Sequence, residues 1–483
     1  MSDKYILSID QGTTSSRVVV LDKFANLIKI YTHPFEQIHI KDAVLQDANV
    51  IYEGVKSLLD KAILEYGKDN IEAIGITNQR ETTVIFDEQG IPLDKSISWQ
   101  SKHTQEICET WKTLGYEPYI KKTTGLEVNA YFSASKMVHF LNQKHIKSYL
   151  KNNKALFGTM DTYLLYRLTN GESYYTDVTN ASRTMLLNIH TANYDDKLLS
   201  LFNISRDMLP EVKPNKYLFG YYNDIPIKAM IGDQQSALFG HLAFSKGTMK
   251  VTYGTGAFIL MNTGLDVFQS KTGLITTIAY QIDDEIHYAI EGSIFVAGSS
   301  VKWLRDKLEI IQTSQESETL AKQSKKRMYF VPAFVGLGAP YWDTNVRGSM
   351  FGITEDVTRH DIIKATLDAI AFQVKDVVDV MIKESKTPLE SVYIDGGASD
   401  NNYLMQFQSD LLRCPLIKPK ETEVTALGAG FLAGLGGLYK DIDYIKKYQT
   451  IVKTFKPISP YKTSIDLHEG WKKAVKSAQT FKL

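Results

Sequence analysis

Cysteine is nearly absent from this sequence, and its two copies, Cys108 and Cys414, lie far apart along the chain. Two distant cysteines supply neither a disulfide framework nor the paired ligands of a zinc site, and they are typical of a reducing compartment. The ten histidines also lack the spacing of metal ligands. The sequence therefore argues against a disulfide-rich secreted scaffold and predicts a cytoplasmic protein.

An excess of one charge is missing as well, because 55 Lys and Arg residues balance 55 Asp and Glu residues. This balance gives no long-range attraction to nucleic acid or to an anionic membrane. The longest weakly polar run, residues 424–439, is too short and too rich in glycine to span a bilayer. Asp3 and Asp10 interrupt any apolar segment that would serve as a signal peptide. We expect no nucleic-acid partner and no membrane insertion.

The length of the chain, 483 residues, exceeds what one hydrophobic core usually supports, so we expect two large domains. Strand and helix patterns alternate, which is typical of an α/β protein with mixed sheets flanked by helices. A strand–turn–strand pattern at residues 6–22 recurs at residues 248–262, with Gly and Thr in both turns. We therefore predict domains at residues 1–247 and 248–483, related in architecture rather than by close sequence repeat.

Other segments give specific expectations for secondary structure. Asp47 is a predicted helix cap, and the helix that follows runs to about Tyr66, where Gly67 ends it. The polar segment 177–183 is predicted to form a loop. Further helices are predicted at residues 101–114, 131–142, 361–382 and 424–439.

The first turn, residues 10–17, combines one glycine with hydroxyl groups, a carboxylate and a guanidinium. Gly12 allows backbone angles that turn successive N–H groups to one side, and such a concavity binds anions. Asp10 is unexpected beside an anion unless a cation lies between them, as Mg²⁺ does with nucleotide phosphates. The turn therefore indicates a Mg-nucleotide phosphate site, and an ordinary hairpin with a polar turn remains the alternative. The other candidate contacts are Thr13, Thr14, Ser15 and Arg17.

Two further glycine-containing turns are candidates for the nucleotide. Gly254-Thr255-Gly256 combines Gly and Thr in a hairpin turn, as the first turn does, and is therefore a second candidate phosphate contact. The alternative is a plain hairpin turn. Asp395-Gly396-Gly397 lies between a predicted strand and a helix that begins near Asn401, where a phosphate can approach the backbone and the helix N-terminus. A tight strand-to-helix turn explains this segment equally well. The GxGxxG dinucleotide fingerprint is absent from it, so we do not expect a nicotinamide dehydrogenase.

Polar residues at the ends of two predicted strands are candidates for substrate binding and catalysis. Asp233 follows one strand and heads a helix, so it is either a helix cap or a base that accepts a proton from a substrate hydroxyl. Arg80 and Glu81 follow another strand and are either a surface ion pair or a donor and acceptor for vicinal hydroxyls. Tyr131 and Trp99 belong to the core or flank an apolar face of a sugar.

Seven short motifs occur in a distinctive order: DQGTTSSR, ITNQRET, YFSASK, GDQQSALFG, TYGTGAF, GLGAPYWD and DGGASDNN. In content and order they resemble the FGGY family of carbohydrate kinases, and among them the members that phosphorylate glycerol. The match runs from the first strand to the last helix. It implies two actin-like, ribonuclease-H-like ATPase domains with the active site in the cleft between them. The first domain would bind glycerol and phosphate, and the second the nucleotide.

The resemblance also implies a reaction and the residues that perform it. ATP would phosphorylate a primary hydroxyl of glycerol to give sn-glycerol 3-phosphate and ADP, with Mg²⁺ held by Asp10 and with Asp233 as the general base. The implied partners are glycerol, ATP and further copies of the same chain in a dimer or tetramer. Glycerol would contact Arg80, Glu81, Tyr131, Asp233 and Gln234. The nucleotide would contact Thr13, Thr14, Ser15, Arg17, Thr255, Gly298, Gly397 and Asn401.

At two positions this sequence differs from the family pattern, so the roles of the family's residues there are not assigned to this chain. Lys302 stands where many of these kinases have a glutamine near the nucleotide, so no contact is assigned to it. Tyr217 stands where some relatives have a histidine that is phosphorylated, so we do not expect that regulation. Two other functions remain as alternatives: a kinase of another polyol or sugar, such as xylulose or gluconate, and an actin-like ATPase that controls a protein partner.

Overall fold

The computed structural model describes residues 3–343 and 345–481, and two large mixed sheets dominate it. The elements of the first half are listed first. The strands are β1 Tyr5–Gln11, β2 Ser15–Leu21, β3 Leu27–Pro34, β4 Ile38–Ile40, β5 Ala43–Gln46, β6 Ile71–Asn78, β7 Thr83–Phe86, β8 Ser96–Ile97, β9 Leu156–Thr159, β10 Tyr175–Asp177, β11 Leu187–Asn188, β12 Asn193–Tyr194, β13 Glu211–Lys213, β14 Lys216–Tyr222 and β15 Ile225–Gly232. The helices are α1 Ala48–Tyr66, α2 Gln105–Thr113, α3 Glu117–Thr124, α4 Ser133–Asn142, α5 Lys144–Tyr149, α6 Met160–Leu168, α7 Val178–Ala181, α8 Asp196–Phe202 and α9 Asp233–Gly240.

The second half adds fewer strands and longer helices. Its strands are β16 Thr248–Tyr253, β17 Ala257–Gly264, β18 Ile275–Ile282, β19 Glu285–Ile294, β20 Tyr329–Val331, β21 Ser349–Phe351, β22 Ser391–Asp395, β23 Leu416–Pro419 and β24 Ile451–Phe455. Its helices are α10 Gly298–Asp306, α11 Glu316–Ala321, α12 Arg359–Ser385, α13 Asn402–Leu412, α14 Val424–Gly434, α15 Ile442–Tyr448 and α16 Tyr461–Thr480.

The two large sheets share one arrangement around their opening hairpins. The first sheet has the order β14-β15-β6-β1-β2-β3, and the second has the order β18-β19-β17-β16-β22-β23-β24. In each sheet the first strand of the hairpin lies between its antiparallel hairpin partner and a parallel strand, which is β6 for β1 and β22 for β16. The predicted α/β class and the architectural repeat are therefore confirmed.

The two halves pack against each other through helix α14. Small residues allow this approach: a Cβ added to Gly75 would lie 2.3 Å from the carbonyl oxygen of Ala429, and one added to Gly428 would meet the carbonyl of Ser236. The hydroxyl of Ser8 in β1 also donates to the carbonyl of Ala426 at 2.6 Å. Apolar residues from both halves form one shared cluster around this helix. Burial of that apolar surface holds the halves together.

Most predicted elements are confirmed, with differences at their ends. Helix α1 begins after Asp47, whose carboxylate accepts the N–H groups of Asn49 and Val50, and it ends before Gly67 as predicted. Helix α2 is shorter than the predicted helix at 101–114, and α4 begins two residues after the predicted start at 131. Helix α12 extends beyond the predicted 361–382 at both ends, and α14 ends five residues before 439.

The prediction of a loop at residues 177–183 is wrong, because residues Val178–Ala181 form helix α7. The carboxylate of Asp177 caps this helix by accepting the backbone N–H groups of Thr179 and Asn180. A polar residue at an N-cap supplies the hydrogen bonds that would otherwise be missing from a short helix. Within the described ranges, no helix combines the length and the apolar character needed to cross a membrane.

Candidate active site

The tip of the first hairpin contacts the second half of the chain through Trp99. The indole Nε1 of Trp99 donates to the hydroxyl of Thr13 at 3.1 Å. The ring of Trp99 lies edge-on to Tyr131, with 5.8 Å between ring centroids, and to Phe258 in β17, with 6.4 Å. Since Ala257 begins β17 directly after the turn at 254–256, both hairpin tips lie on the same side of the molecule. This arrangement is the one that a shared polyphosphate requires.

Next to the turn, the first hairpin places a carboxylate beside a guanidinium. Asp10 and Arg17 are directly opposite each other in the β1–β2 ladder. Burial raises the pKa of Asp10 from its ordinary value of 3.8 to about 7; the positive charge of Arg17 acts against this shift, and the nearby charge of Asp233 adds to it. Arg17 also forms an ion pair with Glu423, which precedes α14 in the second half. The chemistry of this pair of acids, Asp10 and Asp233, suits a site where a cation would offset the negative charge.

A magnesium ion fits this position only if substrate phosphates and water supply most of its ligands. Across residues 3–343 and 345–481, no group of three or more His, Cys, Asp or Glu side chains could hold a metal ion. Mg²⁺ commonly binds through one or two carboxylates and takes its remaining ligands from substrate phosphates and water. The Asp10 carboxylate satisfies that requirement, whereas an all-protein metal centre is not formed by the described side chains.

The predicted substrate residues Arg80, Glu81 and Asp233 are brought together at the ends of two neighbouring strands. Arg80 follows β6 and Asp233 follows β15, and these strands are parallel, with Asn78 opposite Gly232. The Nε atom of Arg80 lies 3.2 Å from Oδ1 of Asp233, and 3.9 Å from Oε1 of Glu81. Asp233 retains 29% side-chain exposure, whereas Arg80 and Glu81 each retain 2%. Asp233 is therefore the member of the group that solvent or a substrate can reach.

Two residues that sequence reasoning missed complete the charge cluster. Glu291 in β19 accepts two hydrogen bonds from Arg80, at 2.6 Å and 3.1 Å, and one from Arg183 at 3.0 Å. Arg183 also donates from Nε to Oε1 of Glu81 at 2.6 Å. We therefore define the arginine–glutamate cluster as Arg80, Glu81, Arg183 and Glu291. The interpretation of Arg80 and Glu81 as a simple surface pair is wrong, because both are buried.

The backbone at Glu81 is in the left-handed region, with φ of 63°. A non-glycine residue there costs free energy and persists where the surrounding structure fixes it. Glu81 is fixed by hydrogen bonds from the hydroxyls of Ser133 and Thr83 to its carbonyl oxygen and by Arg183 at its carboxylate. Burial raises the pKa of Glu81, while the charges of Arg183 and Arg80 act in the opposite direction.

Tyr131 and Gln234 are the remaining predicted substrate residues, and both lie near the cluster. Burial raises the pKa of the Tyr131 phenol, and the nearby Glu81 carboxylate adds to that shift. Lys136 orients the Tyr131 segment, because its Nζ donates to the carbonyl oxygens of Ala130 and Tyr131, the former at 2.9 Å. Gln234 accepts a hydrogen bond from Lys250, a fully buried lysine of β16, so this contact also joins the two halves.

A cavity of about 480 Å³ opens beside the second hairpin. It is lined by four predicted nucleotide residues, Thr255, Gly298, Gly397 and Asn401, and also by Lys302. Asn401 caps helix α13, accepting the N–H of Leu404 at 3.0 Å. The cavity thus combines a hairpin tip with the start of a helix, which is a favourable environment for phosphate.

Close backbone packing around this cavity requires glycine. The N–H of Gly298 donates to the carbonyl of Gly254 at 2.9 Å, and a Cβ added to Gly298 would lie 2.6 Å from that oxygen. Gly396 has φ of 84°, and a Cβ there would lie 2.6 Å from the carbonyl oxygen of Tyr253. Gly397 is different, since a Cβ there would meet no heavy atom within 4 Å. Its backbone is therefore open to a ligand.

The sequence carried weak signals for the residues that were missed. Glu291 lies among the buried residues of β19, whereas the other acid of that strand, Glu285, is exposed at its start, and a buried charge requires a partner. Arg183 is the last residue of the polar segment 177–183 that the sequence predicts to be a loop, which gives no indication of its complete burial. Lys250 lies in a strand whose other side chains are mostly buried. None of these patterns identifies the residues that Glu291, Arg183 and Lys250 contact, because those contacts depend on the tertiary packing of the chain.

The molecule thus has two sheets with equivalent hairpins, an acid at a strand end, and a cavity beside the second hairpin. The models of the FGGY family of carbohydrate kinases match this chain over residues 5–240 for the N-terminal domain and 249–436 for the C-terminal domain. The chain belongs to the FGGY family of carbohydrate kinases.

Curated proteins that are similar to this chain include glycerol kinases. The glycerol kinase of Pediococcus pentosaceus is 47% identical over 499 residues, covering 100% of this chain and 99% of that protein. The glycerol kinase of Enterococcus faecalis is 46% identical, covering 99% of each. The crystal structure of Plasmodium falciparum glycerol kinase with ADP matches with a TM-score of 0.94 and 37% identity, covering 99% of this chain and 98% of that one. A xylulose kinase from Lactobacillus acidophilus has a TM-score of 0.88 at 23% identity, covering 98% of each chain, which shows the shared fold alone.

Proposed function

We propose that this protein is a glycerol kinase, which transfers the γ-phosphoryl group of ATP to a primary hydroxyl of glycerol and releases sn-glycerol 3-phosphate and ADP. Similarity to glycerol kinases along the whole chain supports this assignment. The observation that carries the mechanism is the proximity of the accessible Asp233 carboxylate to the buried Arg80 guanidinium, 3.2 Å away. A charged donor and a charged acceptor at one strand edge suit a small molecule rich in hydroxyl groups.

In this proposal Asp233 is the general base. Its carboxylate orients the attacking hydroxyl and accepts the proton as the bond to phosphorus forms, which contributes roughly 10²- to 10⁴-fold to the rate. Arg80, Glu81, Tyr131 and Gln234 bind the hydroxyl groups and the carbon face of glycerol. Positioning of the two substrates and stabilisation of the developing charge supply most of the remaining acceleration.

The nucleotide binds between the hairpins in this account. Thr13, Thr14, Ser15 and Arg17 contact its phosphates from the first half, and Thr255, Gly298, Gly397 and Asn401 contact it from the second half. Asp10 would hold Mg²⁺, which neutralises phosphate charge when it is bound. Lys302 on the cavity wall is an additional cation near the nucleotide. Closure of the two halves excludes water and so limits hydrolysis of ATP.

Three further features belong to the same proposal. The chain divides into domains at residues 1–247 and 248–483, which is supported by the gap between the two family-model matches. The enzyme acts in the cytoplasm, which is supported by the two free, buried cysteines. It assembles as a dimer or tetramer of identical chains, which light scattering on the purified protein would test.

An ADP-release assay with a panel of substrates tests the proposed reaction. We expect ADP release to depend on glycerol, with kcat/KM for glycerol exceeding that for xylulose and gluconate. A higher kcat/KM for either sugar would favour the alternative polyol or sugar kinase. ADP release that is independent of every small alcohol would favour an actin-like regulatory ATPase instead.

A further inference from the structure

Glu291 belongs to the second half of the chain, but its carboxylate contacts arginines of the first half. Its Oε2 accepts from Nη1 of Arg80 at 2.6 Å. Its Oε1 accepts from Nη2 of Arg80 at 3.1 Å and from Nη2 of Arg183 at 3.0 Å. Both carboxylate oxygens are thus occupied by guanidinium groups, and Arg80 is held in a bidentate geometry that fixes its plane.

Burial makes these contacts energetically important. The side chains of Arg183, Arg80 and Glu291 retain 0%, 2% and 4% exposure. Burial disfavours the ionised form of Glu291, but the charges of Arg183 and Arg80 outweigh it and lower the pKa of Glu291 to about 2. The two glutamates and two arginines of the arginine–glutamate cluster balance in charge. Loss of the Glu291 charge would leave Asp233 beside Arg80 and Glu81 beside Arg183, so the buried positive charge would be less well compensated.

A count of donors shows how Glu291 prepares Arg80 for substrate. A guanidinium has five N–H groups. In Arg80, Nε faces Asp233 at 3.2 Å, Nη1 donates to Glu291 and to Gln235 at 3.1 Å, and Nη2 donates to Glu291. Three of the five N–H groups therefore donate hydrogen bonds to Glu291 and Gln235, Nε is in ion-pair contact with Asp233, and among the described residues one N–H on Nη2 has no partner. Glu291 fixes the direction of that remaining donor.

We infer that Glu291 is a positioning residue for the glycerol site, so that the site in the first half is complete only when the second half is docked against it. This inference rests on the proposed glycerol kinase function. Glu291 does not contact glycerol in this account; it acts through Arg80 and Arg183, and Arg183 in turn holds Glu81. The nucleotide site has separate residues, so the effect is specific to glycerol.

The substitution Glu291→Gln tests the inference, because it keeps the shape of the side chain and removes its charge. We expect KM for glycerol to rise about 10- to 100-fold, the range for a buried hydrogen bond to a charged group. KM for ATP and the dissociation constant for ADP should remain within about twofold to threefold of the wild type. The matched control is Asp376→Asn, which alters a buried carboxylate of α12 whose partners, Tyr341, His468 and Trp471, all lie in the second half.

A specific rise in KM for glycerol in Glu291→Gln, without such a rise in Asp376→Asn, supports the inference. An unchanged KM for glycerol overturns it, and so does an equal rise in KM for both substrates. If Glu291→Gln does not fold, Arg183→Lys carries the same test, because lysine keeps the charge but cannot bridge Glu81 and Glu291; an unchanged KM for glycerol there also overturns the inference. Wild-type protein without glycerol-dependent ADP release would instead refute the proposed function itself.

Discussion

Arg80 and Asp233 lie at the carboxyl ends of two parallel, adjacent strands, with 3.2 Å between Nε and Oδ1. The chain brings these residues together because strands β6 and β15 pair in register, with Asn78 opposite Gly232. Ligands of open α/β sheets bind at this edge. The guanidinium orients the carboxylate, so the two residues are expected to have different roles in kinetics.

Asp233→Asn should abolish turnover while glycerol still binds. Asparagine retains the size of the side chain and an oxygen that can accept from Arg80, but it cannot take up the substrate proton. We expect kcat to fall roughly 10²- to 10⁴-fold, and the affinity for glycerol to stay within about tenfold. Steady-state kinetics and calorimetric titration of glycerol measure the two quantities. A kcat near that of the wild type would remove the assignment of Asp233 as the base.

Arg80→Ala should raise KM for glycerol and also destabilise the protein. The substitution removes the proposed substrate contact and leaves the buried Glu291 with Arg183 as its remaining arginine. Breaking a buried ion pair in this way typically costs about 3–5 kcal/mol of stability. Thermal unfolding and glycerol kinetics should therefore both change. If KM for glycerol is unchanged in the folded variant, Arg80 does not bind the substrate.

Trp99→Phe should separate the hydrogen bond of this side chain from its two aromatic contacts. Phenylalanine keeps an aromatic ring beside Tyr131 and Phe258 but loses the hydrogen bond to the Thr13 hydroxyl. A neutral hydrogen bond contributes about 1 kcal/mol, so kcat/KM for ATP should fall about fivefold. KM for glycerol should change little in Trp99→Phe and should rise in Trp99→Ala, which also removes the ring. Equal effects of the two variants on glycerol would contradict this division.

The pH dependence of KM for glycerol should report Glu81. Burial raises the pKa of this carboxyl, so its protonated form persists to a higher pH than for an ordinary glutamate. If Glu81 binds glycerol as proposed, its ionised carboxylate accepts a glycerol hydroxyl more strongly than its protonated form does. KM should therefore rise as the pH falls through the raised pKa and should be constant above it. Glu81→Gln should raise KM at neutral pH and flatten this dependence. Profiles of the same shape in both proteins would assign the titration to another group.

Gly298→Ala should weaken nucleotide binding through packing alone. The added Cβ would lie 2.6 Å from the carbonyl oxygen of Gly254, so the second hairpin and helix α10 must separate. We expect about a tenfold loss in ADP affinity together with a lower melting temperature, the usual result of overpacking. Gly397→Ala is the matched control for stability, because its Cβ would meet no heavy atom within 4 Å. It should leave the melting temperature unchanged and lower ADP affinity only by obstructing the ligand. Normal ADP affinity in both variants would place the nucleotide elsewhere.

Local sequence signals were sufficient for much of the fold. Asp47 and Gly67 bound helix α1 as expected, because caps and glycine stops depend on neighbouring residues only. The two hairpins were also evident, since strands rich in Ile, Val and Leu enclose turns that contain Gly and Thr. Segment 177–183 was misread because its polarity serves an N-cap and buried contacts rather than solvation. Asn180 illustrates this, since its side chain exchanges hydrogen bonds with Asn78 in the core.

The candidate site was predictable only in part. Asp233 and Arg80 were found because each follows a recognisable strand. Glu291, Arg183 and Lys250 were not found, because their roles arise from contacts between segments about 100 or more residues apart, or between the two halves. Such contacts depend on the docking of the halves, and neither periodicity nor capping encodes that docking.

Product identification with the purified enzyme tests the central claim most directly. Glycerol and Mg-ATP are incubated with the protein, and the product is oxidised by a dehydrogenase that accepts only sn-glycerol 3-phosphate. We expect one equivalent of sn-glycerol 3-phosphate for each ADP formed, and roughly 10²- to 10⁴-fold slower formation with Asp233→Asn. ADP without this product, or the same product at an undiminished rate from the variant, would contradict the account.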